Sequence, residues 1–192
     1  MIPKPTKKQI KHYLKVWDGL ESYTLQESSL HKLFTKTYPK NTDIDDVLIK
    51  VCSLNDFYST NIFSPFNVAK HIVNLDIDSS LDRNDIDIVN KIARVNMPGG
   101  KLINFYSFAT KYCSHHDPEM YPIYDSYVQR VLMYFKKQDK FANFKSIDLK
   151  DFSQFKSIIE QFREFYGLND FSLKDIDRYL WQFGKEYFPK KY

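Results

Sequence analysis

Apolar residues in this chain recur at intervals of three and four, and that period commits it to helices. Between Asp148 and Tyr166, the residues Phe152, Phe155, Ile158, Ile159, Phe162 and Phe165 share one side of a helix, the spacing of an element that buries one face against a core. Similar stripes occur in Ile10, Tyr13, Leu14 and Trp17, in Leu30, Leu33 and Phe34, and in Val47, Leu48, Val51 and Cys52. They continue through Val68, Ala69, Ile72 and Val73, through Ile88, Val89, Ile92 and Ala93, and through Leu173, Ile176, Leu180 and Phe183. No alternating run of useful length and no internal repeat stands among them. The pattern predicts an all-α fold of nine or ten helices with short connections.

Punctuation residues set the expected boundaries. Thr6 can cap the first helix. Pro39 ends the second, and Thr42 with Asp45 three positions on reads as a capping box for the third. Ser64-Pro65 starts another helix, Asp76 to Asp87 is a loop leading into the next, and Gly167 stops the helix before it. Ser172 with Asp175 opens the last one, leaving residues 1–5 and 184–192 as tails. A chain of 192 residues can bury a sizeable core. The expectation is a single globular unit over 1–192, or two lobes, with 40–135 as one and 1–39 together with 136–192 as the other.

Composition narrows function less. The net charge of +4 and pI near 8.8 permit nucleic-acid binding without demanding it. Cys52 and Cys113 lie in apolar helical contexts and read as reduced core residues. The basic start Met1-Ile2-Pro3-Lys4-Pro5 has no apolar segment after it and no run of 18 apolar residues occurs, so the expectation is a cytoplasmic monomer with no membrane partner. Cys113, His115, His116 and Asp117 crowd together without the separated pairs of a zinc site, and no metal or cofactor is expected. His12, His31 and His71 stand alone on helices. Phosphate-loop, dinucleotide-binding and nucleophile-elbow motifs are missing from the sequence. The Phe and Tyr stripes read as core.

The stretch from Met97 to Val128 is different in kind. Pro98-Gly99-Gly100 holds two of the five glycines of the chain, and glycine allows both tight bending and close backbone approach. A helix beginning at Lys101 would aim free N–H groups, a positive dipole end and an ammonium at one point, which suits a phosphate. Phe105, Phe108, Ala109 and Tyr112 would seat that helix, ending near Ser114. Pro122-Ile123-Tyr124-Asp125-Ser126 then leads into a helix over Ser126 to Phe135. Asp125 can serve as its N-cap or as a functional acid.

Pro98, Gly99, Gly100 and Lys101, followed by Ile123, Asp125, Ser126 and Val128, resemble the signature of the helix-hairpin-helix DNA glycosylases, the superfamily of 8-oxoguanine DNA glycosylase. The run Asp46 to Asn55 resembles the helix of that family that leads into a loop bearing Asn or Gln. The resemblance implies a double-stranded DNA partner, base-excision repair, and removal of a damaged base, an oxidised purine for example, after it is flipped out of the stack. Lys101 would be the nucleophile that forms a Schiff base and allows strand cleavage, with Lys111, 14 residues before Asp125, as the alternative. Asp125 would stabilise charge on the sugar. Gly99 and Gly100 would meet the DNA backbone, Asn55 would enter the duplex, and Tyr58, Phe105, Tyr121 and Tyr124 would line the base pocket. Read without the resemblance, Asp125 is an N-cap, Lys101 a surface lysine and Asn55 a turn former. The alternative function is a non-catalytic helical module that binds DNA or another protein.

Overall fold

Backbone N–H groups at the start of a helix need acceptors from outside it, and the chain supplies them at five helix heads. In the computed structural model, which describes residues 2–189, Thr6 accepts from Gln9 ahead of α1 (Lys7–Asp18), and Asp43 from Asp45 and Asp46 ahead of α3 (Ile44–Tyr58). Asp125 accepts from Tyr127 and Val128 ahead of α8 (Ser126–Asp139), Asp151 from Gln154 ahead of α9 (Phe152–Phe165), and Ser172 with Asp175 forms the expected capping box of α10 (Leu173–Tyr187). The cap of α3 is therefore Asp43, not Thr42. The other helices are α2 (Glu21–Lys32), which runs into a π-helical turn over Leu33–Thr37, α4 (Pro65–Leu75) with Ser64-Pro65 at its head, α5 (Asp78–Asp82), α6 (Asp87–Ala93) and α7 (Tyr106–His116). The chain is all-α, with ten α-helices among the described residues.

One hairpin departs from that pattern. Strands β1 (Arg94–Asn96) and β2 (Leu102–Asn104) pair antiparallel across the glycine turn, so the helix expected at Lys101 begins instead at Tyr106. Gly99 and Gly100 both have positive φ, +83° and +79°, a backbone region that side chains disfavour. Further expectations change, among them the segment Asp76 to Asp87, read as a loop, which contains the short helix α5. Residues 56–58 continue α3 rather than starting a loop, and α10 runs through Gly184 to Tyr187; the end of the expected tail, 190–192, and Met1 lie outside the described residues. Near the N-terminus Pro5 is buried and Lys4 pairs with Asp139 at 2.7 Å. Cys113 is buried, whereas Cys52 is exposed on α3 beside the inward-facing Val51. No described helix is long and apolar enough to cross a membrane.

The chain divides into two compact units, one discontinuous (Met1–Thr24 with Pro122–Tyr192) and one continuous (Leu25–Tyr121). In the discontinuous unit α10 packs on α1 and α8, and its core is a stack of rings in edge-on and tilted contact, including Tyr13, Tyr179, Phe183, Phe135 and Phe162. Gly184 lets α10 approach α8: a Cβ there would lie 2.6 Å from Tyr127 Cβ and 3.1 Å from its backbone.

In the continuous unit α3 packs on α4 and α6 on α7, with β1 against α4. At its centre is a polar hub. Asn41, 1 % exposed, accepts through Oδ1 from Lys50 Nζ at 2.5 Å and from Tyr112 Oη at 2.6 Å. Its Nδ2 donates to Asp78 Oδ1 at 2.6 Å and to His116 Nε2 at 3.3 Å. All four side-chain bonding positions of an asparagine are thereby used. Lys50 also donates to the carbonyls of Tyr38 and Lys40, and its ammonium lies 5.3 Å from the Phe34 ring centroid. Burial lowers its pKa to about 8, against the opposing pull of Asp78 and Asp46. Burial, with Lys50 nearby, lowers that of His116 to about 3, in keeping with a neutral ring whose Nε2 lone pair takes the Asn41 amide proton.

Two predictions follow from this packing. Gly184→Ala should lower stability to urea by ~1–3 kcal/mol, because overpacking against a backbone outweighs the ~1 kcal/mol that alanine adds in helix propensity. Stability should also fall as pH drops from 6.5 toward 3, because the unfolded chain takes up a proton at His116 that the folded chain refuses. It should rise from pH 8 to 10, where folded Lys50 releases a proton that the unfolded chain keeps. Denaturation midpoints of wild type and His116→Gln across pH 4–10 check this: the acid slope should be shallower in the variant and the alkaline rise retained.

Candidate functional site

Helix α7 carries the hub on one face and a second cluster on another. Tyr112 and His116 turn toward Asn41. Ser107, Lys111 and His115, spaced by four, form the other row. Lys111 is 4 % exposed. Its ammonium donates to the Ser107 carbonyl at 3.2 Å and to Ser107 Oγ at 2.6 Å, and it lies 5.3 Å from the centroid of the Tyr58 ring. Tyr58, near the C-terminus of α3, shares a hydrogen bond with His115 Nε2 at 3.1 Å. An amine, a hydroxyl, a phenol and an imidazole thus meet at one place within the continuous unit. Two of them, Lys111 and Tyr58, were expected from sequence. Ser107 and His115 were not, although their spacing from Lys111 on one helix would have grouped all three.

The other expected residues fall elsewhere. Lys101 is exposed beside the hairpin turn, one residue before β2 and not at a helix head. Gly99 and Gly100 are exposed at the tip. Phe105 is half-buried, its N–H bonding the Ala93 carbonyl to close the hairpin. Tyr121 is buried and donates to the Asp85 carbonyl at 3.3 Å. Tyr124 and Asp125 belong to the discontinuous unit. Tyr124 is buried, donates to Gln129 and meets Phe155 edge-on. Asp125 Oδ1 accepts two backbone N–H groups, each at 2.8 Å, as an N-cap.

Asn55 does not reach outward. Its Oδ1 accepts from Thr60 Oγ1 at 2.7 Å and from Ile62 N at 2.9 Å, while Nδ2 donates to the Ile62 carbonyl at 3.2 Å. The amide staples the loop between α3 and α4, in which Ser59 and Asn61 both adopt positive φ and Ile62 is buried. The residue that the stapled loop holds out is Phe63, 94 % exposed, with Phe66 and Phe57 also on the surface. Phe63 escaped the sequence reading because an aromatic residue beside Ile62 and Ser64-Pro65 looks like core.

The N-terminal-domain profile of the HI_0787_N family matches residues 9–120, a span that contains the hub, the Lys111 cluster, the stapled loop and the hairpin. An uncharacterized protein of Haemophilus influenzae (strain ATCC 51907 / DSM 11121 / KW20 / Rd) is 50 % identical over 151 residues, 78 % of this chain and 72 % of that protein. No solved structure matches. With more than half of its length matched, the chain belongs to the HI_0787_N family.

Proposed function

We propose that the protein binds double-stranded DNA and acts on it as a base-excision glycosylase with lyase activity, Lys111 being the nucleophile. The observation that carries this reading is the seating of Lys111: an amine taken out of water, aimed by Ser107 and flanked by the Tyr58–His115 pair. Nucleophilic lysines are activated by such desolvated surroundings. Once its proton has passed to a neighbouring base, the Lys111 nitrogen attacks the sugar C1′, the C1′–N bond to the base breaks, and the bonding electrons leave with the base, which is then protonated. Opening of the sugar ring gives a Schiff base, from which elimination of the 3′ phosphate follows. Lys101, exposed on a turn, has no comparable setting. Phe63, rather than Asn55, is the side chain of the α3–α4 loop suited to fill a gap in the base stack, as apolar wedges do.

Asp125, the acid expected from sequence, caps α8 in the discontinuous unit. Its use of Oδ1 as an N-cap favours the second reading, a DNA-binding module of the same fold without chemistry.

Borohydride trapping on duplexes containing 8-oxoguanine, uracil or an abasic site separates the two. A covalent complex should form with wild type and with Lys101→Gln, and Lys111→Gln should reduce it on the order of 10³-fold or more. Duplex binding with no covalent complex and no base release from any substrate would leave the binding module.

A further inference from the structure

The β1–β2 hairpin presents a face that packing does not explain. Its register places Arg94 opposite Asn104 and Asn96 opposite Leu102. Side chains of a strand alternate between its two faces, so these four share one side, and Val95, fully buried, occupies the other. Arg94, Asn96 and Asn104 are exposed, and Leu102 is 59 % exposed. Among the described residues none of the three polar side chains has a hydrogen-bond or ion-pair partner, nor does the ammonium of Lys101 at the turn. The ribbon is held in shape by the Met97 N–H bonding the Lys101 carbonyl at 2.8 Å, by the Phe105 N–H bonding the Ala93 carbonyl at 2.8 Å, and by two glycines in left-handed conformation.

Charge singles out the same segment. The continuous unit holds 12 Asp and Glu against 10 Lys and Arg, yet from Ile88 to His116 it has no acidic residue; of the four cations there, Lys91 pairs with Asp85 and Lys111 is buried, while Arg94 and Lys101 are exposed on the hairpin. A cationic, acid-free projection on an otherwise acidic unit is complementary to a polyanion. Its chemistry is more specific than charge. Arginine pairs in bidentate fashion with the guanine edge, asparagine with the adenine edge, and an apolar side chain meets the thymine methyl, all in the major groove of B-DNA, which at about 12 Å wide admits a two-stranded ribbon. The major groove of an RNA duplex is too deep and narrow for this.

We infer that the β1–β2 ribbon enters the major groove of duplex DNA, where Arg94, Asn96 and Asn104 read base edges and Lys101 contacts a phosphate. The inference rests on the proposal that the protein binds DNA, but not on the chemistry assigned to Lys111. It gives the protein a sequence preference in addition to any preference for damage.

The test uses the full chain and undamaged DNA. Selection from a random-sequence duplex library, followed by anisotropy titrations, should yield a sequence bound on the order of 10-fold or more tighter than a scrambled duplex. Replacing its guanines by 7-deazaguanine, which removes an acceptor in the major groove only, should weaken wild type by about the same factor and leave Arg94→Ala unaffected. Asn96→Ala and Asn104→Ala should flatten the preference at adenine positions, while Lys101→Ala should weaken all duplexes alike and reduce the salt slope by about 1. The RNA duplex of the same sequence should bind more weakly. Equal affinity for every duplex, indifference to 7-deazaguanine, or a preference unchanged in the Arg94, Asn96 and Asn104 variants would overturn the inference. Sequence preference without Schiff-base trapping would remove only the enzymatic reading, and trapping without preference only this one.

Discussion

A single asparagine organises the continuous unit. Buried amides are tolerated when every donor and acceptor is matched, and a network with one member missing costs more than an apolar core. Asn41 meets that condition by drawing on four side chains from three helices: Lys50 from α3, Asp78 from α5, and Tyr112 and His116 from α7. Two of the four lie on one face of α7, so the hub sets the rotation of that helix about its axis. Ser107, Lys111 and His115 each fall one residue before the row that includes Phe108, Tyr112 and His116, a step of about 100°. A core interaction therefore determines where the amine proposed as nucleophile points.

The same residue type closes the next segment. Asn55 turns both its Oδ1 and its Nδ2 back on Thr60 and Ile62, which stiffens a loop containing two left-handed residues and holds Phe63 in solvent. Conformational freedom surrendered before binding does not have to be lost during it. The hairpin shows a parallel arrangement, in which Val95 and the glycine turn fix a ribbon whose outer face carries three unpartnered polar side chains. Within one unit, an amine cluster, an exposed ring and a cationic ribbon are each held by neighbours whose bonding is internal. That division of labour puts rigid support around the buried amine and beneath the exposed ring and ribbon.

Most of the helices were legible because their signals are local. Ser172 with Asp175, Ser64-Pro65, Gly167 and the stripe from Phe152 to Phe165 all act within a few residues, and each element appears where they put it. The hairpin was not legible. Its strands have three residues each, too few for alternation to show, and the helical period of Phe105, Phe108 and Tyr112 starts directly after β2, so that Lys101 read as a helix head. The hub was invisible for another reason. Lys50 and Asn41 are residue types usually found on the surface, and only contacts between segments distant in sequence reveal that both are enclosed. Asn55 was identified as special, but its role was reversed, since an amide at the end of a helix can reach out to a ligand or back to its own loop with equal ease. Lys111 was named from sequence as the alternative amine, while its partners Ser107 and His115 needed the helix to be placed.

The central claim is that Asn41 couples α3 to α7 and so sets the position of the Lys111 face. A double-mutant cycle of Lys50→Met and Tyr112→Phe, measured by urea denaturation, tests it most directly, since both side chains bond the same Asn41 oxygen. A shared hub predicts that the two losses interact by ~1 kcal/mol or more. Losses that add to within ~0.3–0.5 kcal/mol, as for independent sites, would contradict it.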